Sequence, residues 1–320
     1  MKAMQIPHYG PASDLTLVDV PIPTVGDDQV LIQIGAAGVN PVDTYVRSGT
    51  NNYTATFPHT PGNDGAGTIV KVGANVSSLS IGQRVYFSRN LTGSSAEFAL
   101  ALPDFVFPLP DNISFTDGAC LGIPYTTAHR ALFGRAHAQT GDKVLIHGAT
   151  GAVGLATVQL ALAAGLEVVA SAGTQEGAEL LEGQGVAQVI MHNQADHLAP
   201  FQSLDTGFDV IIEMLANINL DQDLKALKKG GRVAVVGNRG TIEINPRELM
   251  ARDAAIVGVA LANTSPAQLK EIAQDLYYQL AAGALNPVIR KTYALTELPN
   301  AHEDILKPGA LGNLVIDLEV

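Results

Sequence analysis

The sequence predicts an α/β protein in which a β-rich domain is joined to a domain with a doubly wound parallel sheet. In the first third of the chain, short apolar strands are broken by Gly and Pro. From about Asp117 onward, strands alternate with helical stretches, a pattern that builds a parallel sheet with helices on both faces. The chain has 320 residues, more than one hydrophobic core usually holds, so we expect two domains.

Composition restricts the classes of partner. Hydrophobic residues make up 47% of the chain and charged residues 16%, which predicts compact folding. The net charge of −12 makes nucleic acid an unlikely ligand, because nonspecific affinity for a phosphate backbone depends on Lys and Arg. The single cysteine, Cys120, excludes an internal disulfide and a zinc site built from several thiolates.

The apolar runs of the sequence argue against a membrane protein. No run approaches the ~20 residues that a bilayer-spanning helix needs. The segment from Met1 to Pro7 lacks the apolar stretch of a signal peptide. We therefore expect a cytoplasmic protein without a membrane partner.

The strands of the first domain include Val30 to Ile34 and Gly67 to Gly73, and the boundary falls near Pro124. The second domain contains six strand candidates, as a doubly wound sheet requires. They are Lys143 to Gly148, Glu167 to Ala172, Ala187 to His192, Phe208 to Met214, Arg232 to Gly237 and Ala255 to Leu261.

Helices and a terminal strand complete the pattern. Between the fourth and fifth of these strands, Asn219 is predicted to cap a helix that ends with lysines before Gly230. The stretch from Pro266 to Ala282 is amphipathic, and Gly312 to Leu318 is predicted to form a strand that returns to the first domain.

A buried strand, a glycine turn and a helix follow one another from Lys143 to Ala161. Gly151 and Gly154 would let the backbone approach a pyrophosphate, and the helix N-terminus offers free N–H groups and a positive dipole end. The spacing is Gly-x-x-Gly-x-x-Gly from Gly148. The sequence therefore predicts a dinucleotide site, and the alternative is a tight turn of small residues without a ligand.

The adenosine end of such a site lies at the close of the second strand, where an Asp or Glu indicates NAD. The segment from Ser171 to Thr174 has no carboxylate, so we predict NADPH as the cofactor. No Lys or Arg lies between Lys143 and Lys225, which leaves Ser171, Thr174, His192 or Arg239 to hold a 2′-phosphate. His192 is equally compatible with a simple surface role. The loops at Asn217 and at Val236 to Gly240 follow strand ends, where such sheets bind ligands, although ordinary turns would also explain them.

Several stretches of the chain resemble the zeta-crystallin group of quinone oxidoreductases, within the medium-chain dehydrogenase/reductase superfamily. The resemblance covers essentially the whole length. The stretches that carry it are Gly38 to Gly49, Gly122 to Ala128, Gly148 to Gly154, Ala172 to Thr174, Ile211 to Asn217 and Gly237 to Arg247.

The resemblance implies a GroES-like catalytic domain at 1–122, completed by 264–320, and a Rossmann domain at 123–263. It also implies a homo-oligomer, a dimer or a tetramer, that transfers reducing equivalents from NADPH to quinones. The cofactor-binding residues would be Tyr45, Thr127, Ala149, Thr150, Gly151, Ala152, Val153, Gly154, Gly173, Thr174, His192, Asn217, Gly237, Asn238, Arg239 and Gly240. Among these, Tyr45 would lie beside the nicotinamide. The turn from Ala149 to Ala152 would lie at the pyrophosphate, and Gly173 and His192 would lie near the adenosine.

The positions of zinc ligands in related enzymes differ here. Relatives that use zinc carry an early Cys and a Gly-His-Glu motif, whereas this chain has Asn40 and Gly62-Asn63-Asp64. We therefore expect no metal, and without a Lewis acid the acceptor must already be reactive, such as a quinone or a conjugated carbonyl. Gly177 also departs from the resemblance, because some quinone reductases carry a lysine there for the 2′-phosphate.

Asn40, Tyr45 and Arg47 are the predicted catalytic residues, as hydrogen-bond donors to developing oxyanion charge. Tyr45 could instead form a packing wall, and Asp43 could pair with Arg47 across one helical turn. The sequence is also compatible with two other functions: reduction of α,β-unsaturated aldehydes or ketones, and a non-enzymatic role as a cofactor-bound structural or RNA-binding protein.

Overall fold

The computed structural model describes residues 1–319, which divide into two compact units. One unit contains the residues from Met1 to Pro124 together with those from Ser265 onward, and the other contains Tyr125–Thr264. None of the helices in residues 1–319 combines the length and the apolar character that crossing a bilayer requires.

The N-terminal part of the first unit is mostly β-structure. Its strands are β1 (Lys2–Gln5), β2 (Thr16–Asp19), β3 (Val30–Val39), β4 (Gly65–Val72), β5 (Arg84–Phe87), β6 (Phe98–Ala101) and β7 (Val106–Pro108). Its helices are α1 (Pro41–Ser48) and α2 (Phe115–Gly118), with 3₁₀ turns at Ala12–Asp14 and Pro103–Phe105. The β3 strand is the centre of this unit, because it pairs with both β4 and β6. A Cβ on Gly67 would lie 2.0 Å from the backbone oxygen of Gln33, so glycine is required where these strands approach most closely.

The second unit alternates helices and strands. Its elements in order are α3 (Thr126–His129), β8 (Lys143–Ile146), α4 (Ala152–Ala163), β9 (Glu167–Ala172), α5 (Gln175–Gly183), β10 (Gln188–Met191), β11 (Phe208–Glu213), α6 (Ala216–Lys225), β12 (Leu227–Val235), α7 (Pro246–Arg252) and β13 (Ala255–Gly258). One 3₁₀ turn is at Ala199–Phe201 and another at Leu261–Asn263, and π-helical turns at Leu121–Tyr125 and Arg130–Arg135 flank α3. The strands form a six-stranded sheet in the order β10-β9-β8-β11-β12-β13, and all neighbours are parallel.

The C-terminal part of the chain completes the first unit. Its elements are α8 (Pro266–Ala281), β14 (Ile289–Ala294), a 3₁₀ turn (Leu295–Glu297), α9 (Leu298–Asp304) and β15 (Asn313–Asp317). Ser265 caps α8 by accepting the N–H of Gln268 at 3.3 Å. The β15 strand lies between β14 and β3, in a seven-stranded sheet ordered β14-β15-β3-β4-β5-β7 with β6 also on β3.

The predicted α/β fold is confirmed, and all six strands of the predicted parallel sheet are present. The sixth strand ends at Gly258, before the expected Leu261, and two predicted element starts were also wrong. The fifth strand begins at Leu227, before the expected Arg232, because its polar first residues resemble a helix end and a turn. Helix α6 begins at Ala216, before Asn219, because Oε1 of Glu213 accepts the backbone N–H of Leu215 and the side-chain amide of Asn219 at this helix start.

The burial of β15 generates a test of the first unit's stability. Val315 is fully buried against Ala36, Ala119 and Cys120, so the Val315→Asp substitution should lower the unfolding free energy by about 3 kcal/mol or more through an unpaired buried charge. The matched control is Thr292→Asp, because Thr292 is paired in register with Val315 on β14 but is exposed. Urea denaturation followed by circular dichroism should separate the two variants, and equal midpoints would contradict this account of the core.

Candidate functional site

Apart from Thr127 on α3, the predicted cofactor residues of the second unit follow the ends of five neighbouring strands. Parallel strands place their carboxyl ends at one edge, so the segments after β8, β9, β10, β11 and β12 share that edge. Chain order reverses between β8 and β11, since β9 and β10 lie on one side and β12 and β13 on the other. This is the point at which open α/β sheets bind ligands.

The glycine turn after β8 is shaped to receive an anion. Gly148 has a φ of +56°, and its N–H donates to Ser171 Oγ at 3.3 Å. Helix α4 is capped by Gly151, which has no side chain to accept the first N–H groups, and the first turn holds no acidic residue. A Cβ on Gly154 would lie 2.3 Å from Gly148 O, so the helix packs tightly on the turn. The turn therefore fits the pyrophosphate of a dinucleotide.

The segments after β9 and β10 lie against each other. A Cβ on Gly173 would lie 2.8 Å from His192 Nε2, which places the imidazole directly over this glycine. Thr174 caps α5, and its Oγ1 accepts the N–H of Gly177 at 3.1 Å. Partial burial lowers the pKa of His192, so its ring is neutral at pH 7 and can donate a single hydrogen bond.

The loops after β11 and β12 are joined by hydrogen bonds. Ala216 N–H donates to Gly237 O at 3.0 Å, and Arg239 N–H donates to Asn217 Oδ1 at 2.9 Å. Asn238 Nδ2 donates to Gly240 O at 2.7 Å. A groove of about 550 Å³ opens beside these loops. Thr127, the remaining predicted cofactor residue of this unit, is buried on α3. The groove is lined by Arg130, Arg135, residues 235–238, residues 258–260 and Asn263.

In the first unit, Asn40 belongs to a buried polar network at the start of α1. Asn40 Nδ2 donates to Asp64 Oδ2 at 2.9 Å, and the same oxygen accepts the N–H of Ile123 at 2.8 Å. Asp43 accepts the N–H of Asn40 at 2.8 Å and Nδ2 of Asn63 at 2.9 Å. Burial raises the pKa of Asp43 to about 6 and raises the pKa of Asp64 well above its usual range.

Tyr45 and Arg47 lie on the same short helix. The rings of Tyr45 and Tyr53 have centroids 6.2 Å apart. Arg47 is buried, its Nη1 donates to Gly10 O, and its Nε has no hydrogen-bond partner. The alternative pairing of Asp43 with Arg47 is wrong, because the Asp43 carboxylate accepts hydrogen bonds from Asn40 and Asn63 at the N-terminal end of the helix.

Sequence reasoning missed one group of ionisable residues in the second unit. His147, Glu213 and Asp223 are all buried, and their ligand atoms lie within 4.8 Å of one another. His147 and Glu213 lie at the ends of two strands that are adjacent in the sheet. The available signal was a charged or polar residue directly at the end of an apolar strand.

Comparison with known proteins assigns the chain to a family. A family model described as alcohol dehydrogenase GroES-like domain matches residues 26–111, and one described as zinc-binding dehydrogenase matches residues 152–277. A quinone oxidoreductase of Mus musculus is 45% identical over 322 residues, which cover 99% of this chain and 97% of the relative. The chain belongs to the quinone oxidoreductase family of medium-chain dehydrogenases/reductases.

Solved structures agree with this family and its dinucleotide chemistry. A mycobacterial protein in complex with NADPH is 27% identical, with a TM-score of 0.89, and the match covers 99% of this chain and 100% of that chain. The CurK enoyl reductase is 26% identical, with a TM-score of 0.88 and coverage of 99% and 98%. The chain is therefore an oxidoreductase of a family that binds nicotinamide dinucleotides.

Zinc does not fit the position that the superfamily uses for it. In this chain the side chains of Asn40 and Asp64 are joined by a hydrogen bond, and the amide nitrogen of Asn40 is not a zinc ligand. Within residues 1–319, the one group of three potential ligands that lies close enough to share an ion is His147, Glu213 and Asp223 in the second unit. The residues around Asn40 therefore do not form a zinc site.

The burial of Asp64 generates a test of the network around Asn40. Because burial raises the pKa of Asp64 well above its usual range, the neutral amide of Asp64→Asn should keep the unfolding free energy of the parent chain. Asp64→Ala should lower it by roughly 1–3 kcal/mol, since two buried donors lose their acceptor. Urea denaturation at pH 7 measures both. Equal losses for the two variants would show that Asp64 is ionised in the folded chain.

Proposed function

We propose that this chain is an NADPH:quinone oxidoreductase that transfers reducing equivalents without a metal. The observation that carries the proposal is the glycine turn at the reversal of the parallel sheet, with its glycine cap and its uncharged first helical turn. Membership of the quinone oxidoreductase family supports a quinone as the acceptor.

NADPH is the proposed cofactor for two reasons. The segment from Ser171 to Thr174, at the end of β9, holds no carboxylate that would repel the 2′-phosphate. The mycobacterial neighbour, which shares the fold over its full length, was solved with NADPH. His192, above Gly173, and the exposed Arg239 are the proposed donors to the 2′-phosphate.

The catalytic residues that we propose are Asn40, Tyr45 and Arg47. When bound, the reduced nicotinamide supplies a hydride, and the quinone accepts it with a proton to give the hydroquinone. Asp64 fixes the amide of Asn40 through one N–H, which leaves the second free to donate to developing oxyanion charge. The Tyr45 hydroxyl is the second proposed donor. Arg47, whose Nη1 is held by Gly10 O, contributes positive charge.

A second copy of the chain is the proposed protein partner. Strand β13 is the last strand of the six-stranded sheet and pairs only with β12 among residues 1–319. A free parallel-sheet edge is a template for pairing with an identical edge, and a dimer or tetramer would cover it. We place this assembly in the cytoplasm, where the single buried thiol of Cys120 stays reduced.

Reduction of conjugated aldehydes or ketones is the second candidate function. It is favoured by the full-length likeness to an enoyl reductase, whose acceptor is also an activated double bond. Both reactions deliver hydride to an electron-poor acceptor without a Lewis acid, so the same residues serve either one.

The acceptor is tested by anaerobic turnover with NADPH and with NADH, using 1,4-benzoquinone, 9,10-phenanthrenequinone and an enone. We expect a higher kcat/KM for the quinones than for the enone, and tighter binding of NADPH than of NADH in a fluorescence titration. The reverse order of acceptors would establish the second candidate. Tight NADPH binding without turnover of any acceptor would favour a non-enzymatic role.

The cofactor site is tested by the Gly154→Ala substitution. A methyl group at this position would meet the Gly148 carbonyl, so the turn must move and NADPH affinity should fall by at least about tenfold. Gly183→Ala is the matched control, since a Cβ at Gly183 on α5 has open space around it. Circular dichroism checks that both variants are folded. Unchanged affinity in the Gly154 variant would place the nucleotide elsewhere.

A further inference from the structure

A cluster of three buried ionisable side chains lies beneath the predicted cofactor loops of the second unit. His147 directly follows β8, Glu213 is the last residue of β11, and Asp223 lies on α6. His147 Nε2 lies 2.8 Å from Asp223 Oδ1 and 3.6 Å from Glu213 Oε2. Glu213 and Asp223 have no exposed surface. The cluster is therefore part of the protein interior rather than the surface of the groove.

The two carboxyl groups cannot both be ionised without compensation. Among residues 1–319, no Lys or Arg forms an ion pair with either one, and His147 is their ion-pair partner. Glu213 Oε2 and Asp223 Oδ2 are both buried and without a hydrogen-bond donor. A single proton between the two carboxyl groups would satisfy both oxygens at once, and a neutral His147 would donate from Nε2 to Asp223 Oδ1.

The spacing of the cluster favours a proton over a metal ion. Ligands bound tetrahedrally to zinc at about 2.0–2.2 Å lie more than 3 Å from one another. The 2.8 Å separation of His147 Nε2 and Asp223 Oδ1 is that of a hydrogen bond. The atoms are therefore packed around hydrogen atoms and leave no room for an ion between them.

The cluster is connected to the loops that follow β8, β11 and β12. The backbone N–H of His147, directly before the glycine turn, donates to the backbone oxygen of Ile212 at 3.0 Å. Glu213 Oε1 accepts from Leu215 N–H and from Asn219 Nδ2, which fixes the start of α6. The backbone oxygen of Glu213 accepts from Val236 at 2.9 Å and from Gly237 at 3.2 Å. A change in the geometry of Glu213 would therefore reach all these loops.

We propose that Glu213 and Asp223 share one proton and, together with His147, act as positioning residues that hold the three cofactor loops in place. The positioning role rests on the proposed cofactor site, whereas the shared proton is a property of the protein alone. None of the three side chains is proposed to touch the substrate.

The proposal predicts a dependence on pH with a defined sign. Burial raises the pKa of Glu213 to about 8 and that of Asp223 to about 7, and burial lowers the pKa of His147. The titratable groups that face the pair are His147 and, beyond it, His192, whose own pKa is lowered chiefly by burial. Each of these carboxyl groups keeps its proton to a higher pH in the folded chain than in the unfolded chain. The stability of the folded chain therefore falls as pH rises from the ordinary pKa of the group toward its raised pKa. The loops should therefore loosen as pH increases through about 8.

Infrared difference spectroscopy on the purified protein without cofactor tests the shared proton. Because the buried carboxyl group of Asp64 can contribute a band of its own, every chain in this test also carries Asp64→Asn. In this background we expect the carbonyl band of a buried protonated carboxyl group at pH 7, which disappears as pH is raised beyond about 8 and is absent when Glu213→Gln is added. Glu182→Gln, an exposed substitution on α5, should leave the band unchanged. Absence of the band in the Asp64→Asn background, or its persistence after each of the substitutions Glu213→Gln and Asp223→Asn, would overturn the proposal. A stoichiometric divalent ion that is lost in Glu213→Gln would overturn it as well.

The positioning role is tested by comparing the parent chain with Glu213→Gln across pH. The glutamine can donate to Asp223 while its oxygen keeps the contact with Leu215 N–H, so it mimics the protonated acid permanently. Between pH 6.5 and pH 9 we expect NADPH affinity of the parent chain to fall about tenfold more than that of the variant. Hydrogen exchange without cofactor should be faster at pH 9 in the parent chain than in the variant, in peptides that cover residues 148–154 and 236–240. Equal exchange in the two chains would overturn the positioning role. Failure of the parent chain to bind NADPH, with the difference in exchange still present, would instead contradict the proposed cofactor site.

Discussion

The reversal of strand order between β8 and β11 is the constraint on which the second unit depends. Because helices cross to opposite faces on either side of this point, the loops after the two strands diverge and a crevice opens at the carboxyl edge of the sheet. The glycine turn uses that opening, since small residues let α4 start close to the end of β8. The topology thus fixes the place of the glycine turn before any side chain is considered.

Both units place buried carboxyl groups at the ends of strands or at helix starts next to their predicted functional residues. Asp64 orients Asn40 in the first unit, and Glu213 organises the start of α6 in the second. A buried acid that stays protonated is a compact way to satisfy several backbone and amide groups without leaving a charge in the interior. In each unit the acid therefore fixes the orientation of neighbouring donor groups.

The sequence was sufficient to predict most of the fold and only part of the candidate site. Apolar strands that alternate with helices predicted the six-stranded sheet, and the glycine spacing predicted the turn, because both patterns are local. The start of α6 could not be predicted from Asn219, since the acceptor that organises it is a carboxylate from the preceding strand. His147, Glu213 and Asp223 are far apart in the sequence and meet only because the β8 and β11 strands pair. The structure is needed to find groups of this kind.

The position of β15 has a consequence for synthesis on the ribosome. This strand is an interior member of its sheet, inserted between β14 and β3, although the whole of the second unit separates it from β3 along the chain. The strand that pairs with this part of β3 is therefore synthesised only after the whole of the second unit, which is continuous in sequence. Nascent chains halted before Asn313 would expose an unpaired edge of β3, which is a template for pairing with other chains.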